Sequence, residues 1–425
     1  MAKTLPPQSL PGPETIHRET LANGITVLSR ANFNSPSVII SGYFASGSLF
    51  ESNDQLGLAD FMCSCLMRGS ETHSMQQLYE ALESIGASFG YDSGTRSSTF
   101  SGRALVEDLP LLLNILAETL RHPVFPKDQM ERLRTQLLTS LALRAQDTSD
   151  MADLIFDETL FKDHPFGRPD DGWPETIQSI TRRDLKEFHR RTVGPRELVI
   201  AVVGAIEPRR ATALVQRSLG DWTNPHQKPL PSIPAVQKLK KIHTRHHTIA
   251  GKSQTDLVIG TIGPRRRDDD YLAASLANSV LGQFGMGGRI GDVVREKAGL
   301  AYYAYSHLGA GYEVGTWDVS AGVNPKNVRK ATGLILRELS AFAKRGATKS
   351  ELQDSQDNFI GRLPLSLESN NGVAGALLNM ERNHLGLDYL QRYADLVRRI
   401  TRDEVQAVAE KYIDPSRLVI ASAGP

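Results

Sequence analysis

Four side chains within one short stretch could do chemistry. Asp60, Cys63, Ser64 and Cys65 lie in Gly57–Ser70, a segment that reads as a helix. Residues four apart share a helical face, so Asp60 and Ser64 could address one ligand. A helical zinc-hydrolase site needs two imidazoles at that spacing and a Glu between them as general base on the metal-bound water. A serine hydroxyl is a poor zinc ligand at neutral pH, and one carboxylate does not make a site. Cys63 lacks the carboxylate to act as that base. A rebuilt metal site from Asp60, Cys63 and Cys65 fares no better: the two thiols form C-x-C rather than C-x-x-C, and helical residues i and i+2 do not face each other. Both cysteines read as small buried apolar groups.

A second pair lies far along the chain. Arg295 and Tyr302 follow the glycine-rich run Gly282–Gly288. A guanidinium offers a rigid fork of donors and a phenol one directed O–H. Both can stabilise the charge that develops on a carbonyl oxygen under attack, and losing one such donor costs about 2.7–4 kcal/mol of barrier. By spacing alone the pair reads as an Arg at a helix end followed by an aromatic-rich strand. The glycine run lacks the Gly-Lys-Ser/Thr ending of a phosphate loop. Tyr303 and Tyr305 are expected on the strand face opposite Tyr302, as packing residues.

Positioning such groups requires a scaffold, and the chain has room for one. It has 425 residues, of which 40% are hydrophobic, enough for two or three domains. Lys plus Arg number 49 and Asp plus Glu 48, a net charge of +1, which gives no electrostatic case for nucleic acid or an anionic membrane as main partner. Two cysteines one residue apart cannot staple the fold. Residues 1–15 are Pro-rich and read as an extended arm without a signal-peptide core. The apolar stretch Leu109–Ala117 is too short for a membrane span, so the default expectation is a cytoplasmic protein.

The pattern of elements suggests an α+β layout. Gly24–Ser29, Ser37–Tyr43, Ala87–Tyr91 and Arg96–Ala104 read as strands, the last two joined through Asp92-Ser93-Gly94. Ser74 with Gln77 forms a capping box for a helix over Met75–Ile85. Amphipathic helices follow at Val106–Arg121 and Lys127–Gln146. The chain also repeats itself. Ile180–Leu185 matches Ile400–Val405, and Val193–Gly204 matches Ile413–Gly424, at one constant offset. Each unit reads as a capped helix, a Pro turn and a short buried strand. Leu58-Ala59 has a counterpart in Leu272-Ala273. Two homologous domains follow, with a Pro-spaced linker near His226–Ala235. Arg265–Arg267 reads as a solvated loop, with Asp268–Asp270 capping a helix from Tyr271. His243, His246 and His247 read as the polar side of a strand or linker edge.

The helix over Gly57–Ser70 resembles the active-site helix of the M16 (pitrilysin, or mitochondrial-processing-peptidase-like) metallopeptidases, which reads roughly G-L-A-H-F-L-E-H-M-L-F-K-G-T. Gly57, Leu58, Ala59, Phe61, Leu66, Arg68, Gly69 and Ser70 keep that frame. Asp60, Cys63 and Ser64 stand at the first His, the Glu and the second His. Leu138–Asp147 resembles the stretch that carries the family's third ligand, a Glu, and puts Ser140 or Leu141 there. The run from Arg289 to Tyr302 is similar to the family's R-L-x-x-x-V-R-E-K-x-G-L-A-Y, and His164–Gly167 resembles its H-P-L/F-G turn.

The resemblance implies two α/β-sandwich half-domains facing each other across a chamber: 16–225 with the degenerate zinc site, a linker 226–240, and 241–425 with the Arg/Tyr pair. It implies a substrate-binding subunit without zinc or peptidase activity of its own. Arg295 and Tyr302 would bind the backbone carbonyls of a peptide or unfolded polypeptide at the zinc site of a partner M16 subunit. The alternative is an inert structural or peptide-binding homologue that acts without such a partner, resembling the core proteins of respiratory complexes. Pairing with a second copy of the chain in isolation stays open.

Overall fold

A computed structural model describes residues 10–425 apart from Phe284 and Met286. Most of the expected N-terminal arm and part of the glycine-rich run therefore lie outside the described residues. The first half contains β1 (His17–Thr20), β2 (Thr26–Ala31), β3 (Ser37–Phe44), α1 (Leu58–Cys65), α2 (Met75–Glu83), β4 (Ser88–Asp92), β5 (Ser98–Leu105), α3 (Leu109–Arg121), α4 (Lys127–Arg144), α5 (Thr148–Leu160), α6 (Pro174–Ser179), α7 (Arg182–Thr192), β6 (Val199–Gly204) and α8 (Pro208–Leu219). The second contains β7 (His243–Thr248), β8 (Thr255–Gly263), α9 (Tyr271–Asn278), α10 (Gly288–Gly291), β9 (Ala301–Ala310), β10 (Gly315–Val323), α11 (Val328–Arg345), α12 (Lys349–Ser366), α13 (Asn370–Arg382), α14 (Tyr389–Arg399), α15 (Arg402–Tyr412) and β11 (Val419–Gly424).

The duplication is visible in hydrogen bonds. Thr181 caps α7 through the Asp184 N–H, and Thr401 caps α15 through the Glu404 N–H, each in a reciprocal capping box. Each helix leads into a strand that sits inside its sheet. The described strands order as β1-β2-β6-β3-β5-β4 and β7-β11-β8-β10-β9. β6 runs parallel to β2 and antiparallel to β3, and β11 runs parallel to β7 and antiparallel to β8.

Every residue of β6 is buried, because both faces of the first sheet are covered. Ile200 and Val202 face a core built with α1, α3, α7 and α8. Val199, Ala201 and Val203 face the other way, against Val373, Ala374, Leu377 and Met380 of α13, a helix of the second half. The exchange is reciprocal. Met151, Ala152, Ile155, Phe156 and Leu160 of α5, from the first half, pack on Val258, Val419, Ala421 and Ala423 of the second sheet. Ser369 caps α13 and Asp147 caps α5. Polar contacts reinforce the crossing, with Arg18 to Glu381 at 2.7 Å and Asn32 Nδ2 to Asn370 Oδ1 at 2.7 Å.

The chain between Leu219 and His243 has no helix or strand among the described residues. Pro234 O accepts from His164 Nε2 at 2.9 Å, which ties this segment to the first half. His243–Thr248 forms an edge strand with mostly exposed side chains. One capping expectation fails. Asp270 makes no side-chain bond to the start of α9; its carboxylate instead accepts from Lys411 Nζ at 2.5 Å, an ion pair with α15 that outbids a neutral N–H. No helix of the described residues is long and apolar enough to cross a membrane.

Because α13 fills the far face of the first sheet, Leu377→Ala should destabilise the whole chain rather than the second half alone. The expected loss is about 2–5 kcal/mol, read as a single shifted transition in urea unfolding; a separate early transition of the second half would contradict the exchange.

Candidate functional site

The geometry begins at the N-terminus of α1. Gly57 has φ +86°, and a Cβ there would lie 2.8 Å from Asp171 O, so glycine is required. The free N–H groups of the helix end are taken by a buried carboxylate outside it. Glu51 accepts from Gly57 N at 3.1 Å and from Ala59 N at 2.5 Å. Burial pushes Glu51 up to about 8, against these two bonds and Arg168. Nothing in the sequence singles out Glu51, since its partners come from the geometry of a loop.

On α1 the four candidate side chains diverge. Cys63 is buried, and burial pushes its thiol up to about 12. Cys65 is likewise buried and pushed up to about 12. Neither is a thiolate at neutral pH, so neither serves as nucleophile or ligand. Ser64 is exposed, and Ser140 on α4 is exposed while its neighbour Leu141 joins the core. Asp60 is partly buried and pushed up to about 6, first by burial and then by Asp171, Asp92 and Asp170. Among the described residues no group of three or more His, Cys, Asp or Glu side chains could hold a metal ion. The donor set around α1 therefore does not fit zinc.

Carboxylates continue from Asp60 towards the second half. Asp170 accepts from Ser48 and from Thr95 Oγ1 at 2.8 Å. Asp157 on α5 is pushed up to about 7 by burial, then by Asp153, Asp318 and Asp170. Asp318 on β10 lies 3.6 Å from His307 Nδ1 on β9, a contact that raises His307. Tyr303 donates to Asp256 Oδ1 at 2.5 Å, and Tyr305 is exposed. The two rings pack against each other with centroids 5.7 Å apart, as expected, and Tyr303 adds a polar contact through its hydroxyl.

Tyr302 lies on β9 of that sheet and Arg295 on the helical segment that precedes it. Arg295 follows α10 on a π-type turn over Asp292–Lys297 and reaches Glu296 Oε1 at 2.7 Å. Tyr302 stands where the β9–β10 pairing shifts between Gly322 and Val323, and it is 79% exposed. β9 is an edge strand of the sheet, opposite β7. Among the described residues neither side chain bonds to the first half. The structure does not bring the pair to α1 of the same chain. His164 is structural: its Nδ1 accepts from Phe166 N at 3.2 Å and its ring stacks on Phe166.

Comparison with known proteins agrees with this architecture. A family model described as insulinase (peptidase family M16) matches residues 26–169, and one described as peptidase M16 inactive domain matches residues 179–359. A protein of Streptomyces coelicolor named an uncharacterized zinc protease is 26% identical over 416 residues, covering 96% of this chain and 89% of that protein. The crystal structure of a peptidase M16 inactive domain from Pseudomonas fluorescens superposes with TM-score 0.89 at 28% identity, covering 96% of this chain and 98% of the other. That of a protease from Helicobacter pylori superposes with TM-score 0.90 at 20% identity, covering 98% and 100%, a likeness of fold.

The raised Asp157 makes stability depend on pH. Below the ordinary carboxylate range both folded and unfolded states are protonated, and the group contributes nothing. As pH rises from about 4 to about 7 the unfolded state loses its proton first, so folding weakens. Asp157→Asn should thus stabilise the protein at pH 8 by on the order of 1 kcal/mol and leave it unchanged at pH 3.5. Unfolding curves at the two pH values check this, and an equal effect at both would contradict it.

Proposed function

The chain belongs to peptidase family M16, and from that membership we propose that it is a non-catalytic, substrate-binding subunit of a two-chain zinc peptidase. The observation that carries this reading is the donor-poor α1. The helix keeps its frame, yet Asp60, Cys63, Ser64 and Ser140 supply no ligand set, and both thiols are buried and protonated. The exposed Tyr302 on the edge strand β9 supports a role towards another chain.

In this reading the partner M16 subunit holds the zinc, which would polarise the scissile carbonyl and activate water. This chain's part is positioning. The Arg295 fork and the Tyr302 hydroxyl would donate to the backbone carbonyls beside the cleaved bond, holding a peptide or unfolded polypeptide in register and stabilising charge on oxygen as it develops. The exposed aromatic ring of Tyr302 gives its hydroxyl reach beyond the sheet edge.

Purified alone, the protein is expected to hold well below one zinc per chain by elemental analysis and to cleave no peptide, with Asp60→Ala changing neither result. Co-expressed with a zinc-bearing M16 subunit, it should restore cleavage. Arg295→Ala in this chain should then lower kcat by about a hundredfold or more. Stoichiometric zinc in the isolated chain would sink the proposal, as would a pair whose rate ignores both Arg295→Ala and Tyr302→Phe.

A further inference from the structure

Three arginines drawn from both halves converge on one cavity. It measures about 820 Å³ and lies where the β4–β5 turn meets the β9–β10 hairpin and the end of α13. Arg96 comes from the first half; Arg266 and Arg382 come from the second. Glu313 also lines it and takes Arg96, at 2.7 Å. The Arg266 guanidinium donates to the Tyr389 hydroxyl at 3.1 Å and that of Arg382 to the Ser97 hydroxyl at 3.3 Å; among the described residues neither has a carboxylate partner.

Both guanidiniums are nonetheless fixed. Arg266 lies 4.2 Å from the Tyr271 ring centroid and 5.4 Å from that of Tyr389, and Arg382 lies 4.1 Å from that of Tyr43. Stacking holds the plane of the fork and leaves in-plane donors free. Burial, reinforced by Arg96 and opposed by Tyr43, pulls Arg382 below the usual arginine range. A charge held there without a counter-ion is costly unless a ligand supplies one. Asn379 and Asn383 add neutral polar groups to the wall.

We infer that this cavity receives a carboxylate of a bound peptide, its C-terminus or an acidic side chain, between Arg266 and Arg382. The inference rests on the peptide-binding role proposed above and adds a specificity to it. Carboxylates match the guanidinium fork bidentately, and the volume suits a few residues of chain. The neighbouring acids limit the charge accepted. Asp170 is bound to Thr95 of the wall, and Asp318 is paired with His307, so a single carboxylate fits where a polyanion would meet repulsion.

The test uses the full chain and fluorescence anisotropy with three labelled peptides of one neutral sequence. One ends in a free carboxylate, one in an amide, and one in an amide with a single internal Glu. At least one of the two carboxylate-bearing peptides should bind roughly tenfold tighter than the neutral amide, and which of them gains identifies the source. Arg266→Gln with Arg382→Gln should erase the difference. The comparison among peptides on the unaltered protein stands even where the double variant folds poorly. Equal binding of all three overturns the inference and leaves the peptide-binding role intact, as does a preference that survives in the folded double variant. Absence of binding by any of them overturns the peptide-binding role itself, and this inference with it.

Discussion

Two sheets that need both faces covered, in a chain where each half can cover only one, dictate the architecture. The first half wraps α1, α3, α7 and α8 over one face of its sheet and leaves Val199, Ala201 and Val203 bare. The second half has the same shortage at Val419, Ala421 and Ala423. Burying such faces is worth roughly 25 cal/mol per Å² of apolar surface, so α5 and α13 cross over to supply it. The two halves thus become one folding unit although each repeats the same plan. The crossing also creates what function can use, since the cavity between the halves exists only where α13 ends against the β4–β5 turn.

Within that frame the α1 region shows how a helix can keep its shape while its chemistry changes. Packing fixes α1 through Leu58, Ala59, Phe61, Met62 and Cys65. These contacts ask nothing of Asp60, Ser64 or Ser140, whose side chains reach the surface or its margin. Cys63 and Cys65 add two buried, uncharged thiols to this packing. Glu51 then remains as a deeply buried carboxyl group, and the two N–H bonds it accepts serve the helix end.

The parts legible in the sequence are those set by local rules. The Thr181 and Thr401 caps, the Ser74–Gln77 box, and the β6 and β11 runs each follow from a few adjacent residues. The resemblance around Gly57–Ser70 and Arg289–Tyr302 adds the architecture of two similar halves. Long-range choices were not legible. Whether α5 packs on its own sheet or the other is not written in its amphipathic pattern, because either apolar face would satisfy it. Asp270 read as a cap and is a partner of Lys411 from α15. Arg266 read as solvated and is stacked between Tyr271 and Tyr389, which lie far apart in sequence.

Charge is divided along the inner surface in a way that composition hides. A net charge of +1 averages over a chain in which Asp60, Asp170, Asp157 and Asp318 repel one another along one path, while Arg266 and Arg382 stand uncompensated in the cavity beside it. Opposite poles so close would neutralise each other if the side chains could reach. They do not, because Arg266 and Arg382 are held by aromatic rings and Asp170 by Ser48 and Thr95. A surface that keeps such charges apart stores electrostatic energy that a ligand with its own carboxylate can release. On the proposed peptide-binding reading, an extended peptide would bring that group together with backbone carbonyls for Arg295 and Tyr302. Recognition of its end and positioning of its backbone would then fall to separate parts of the second half.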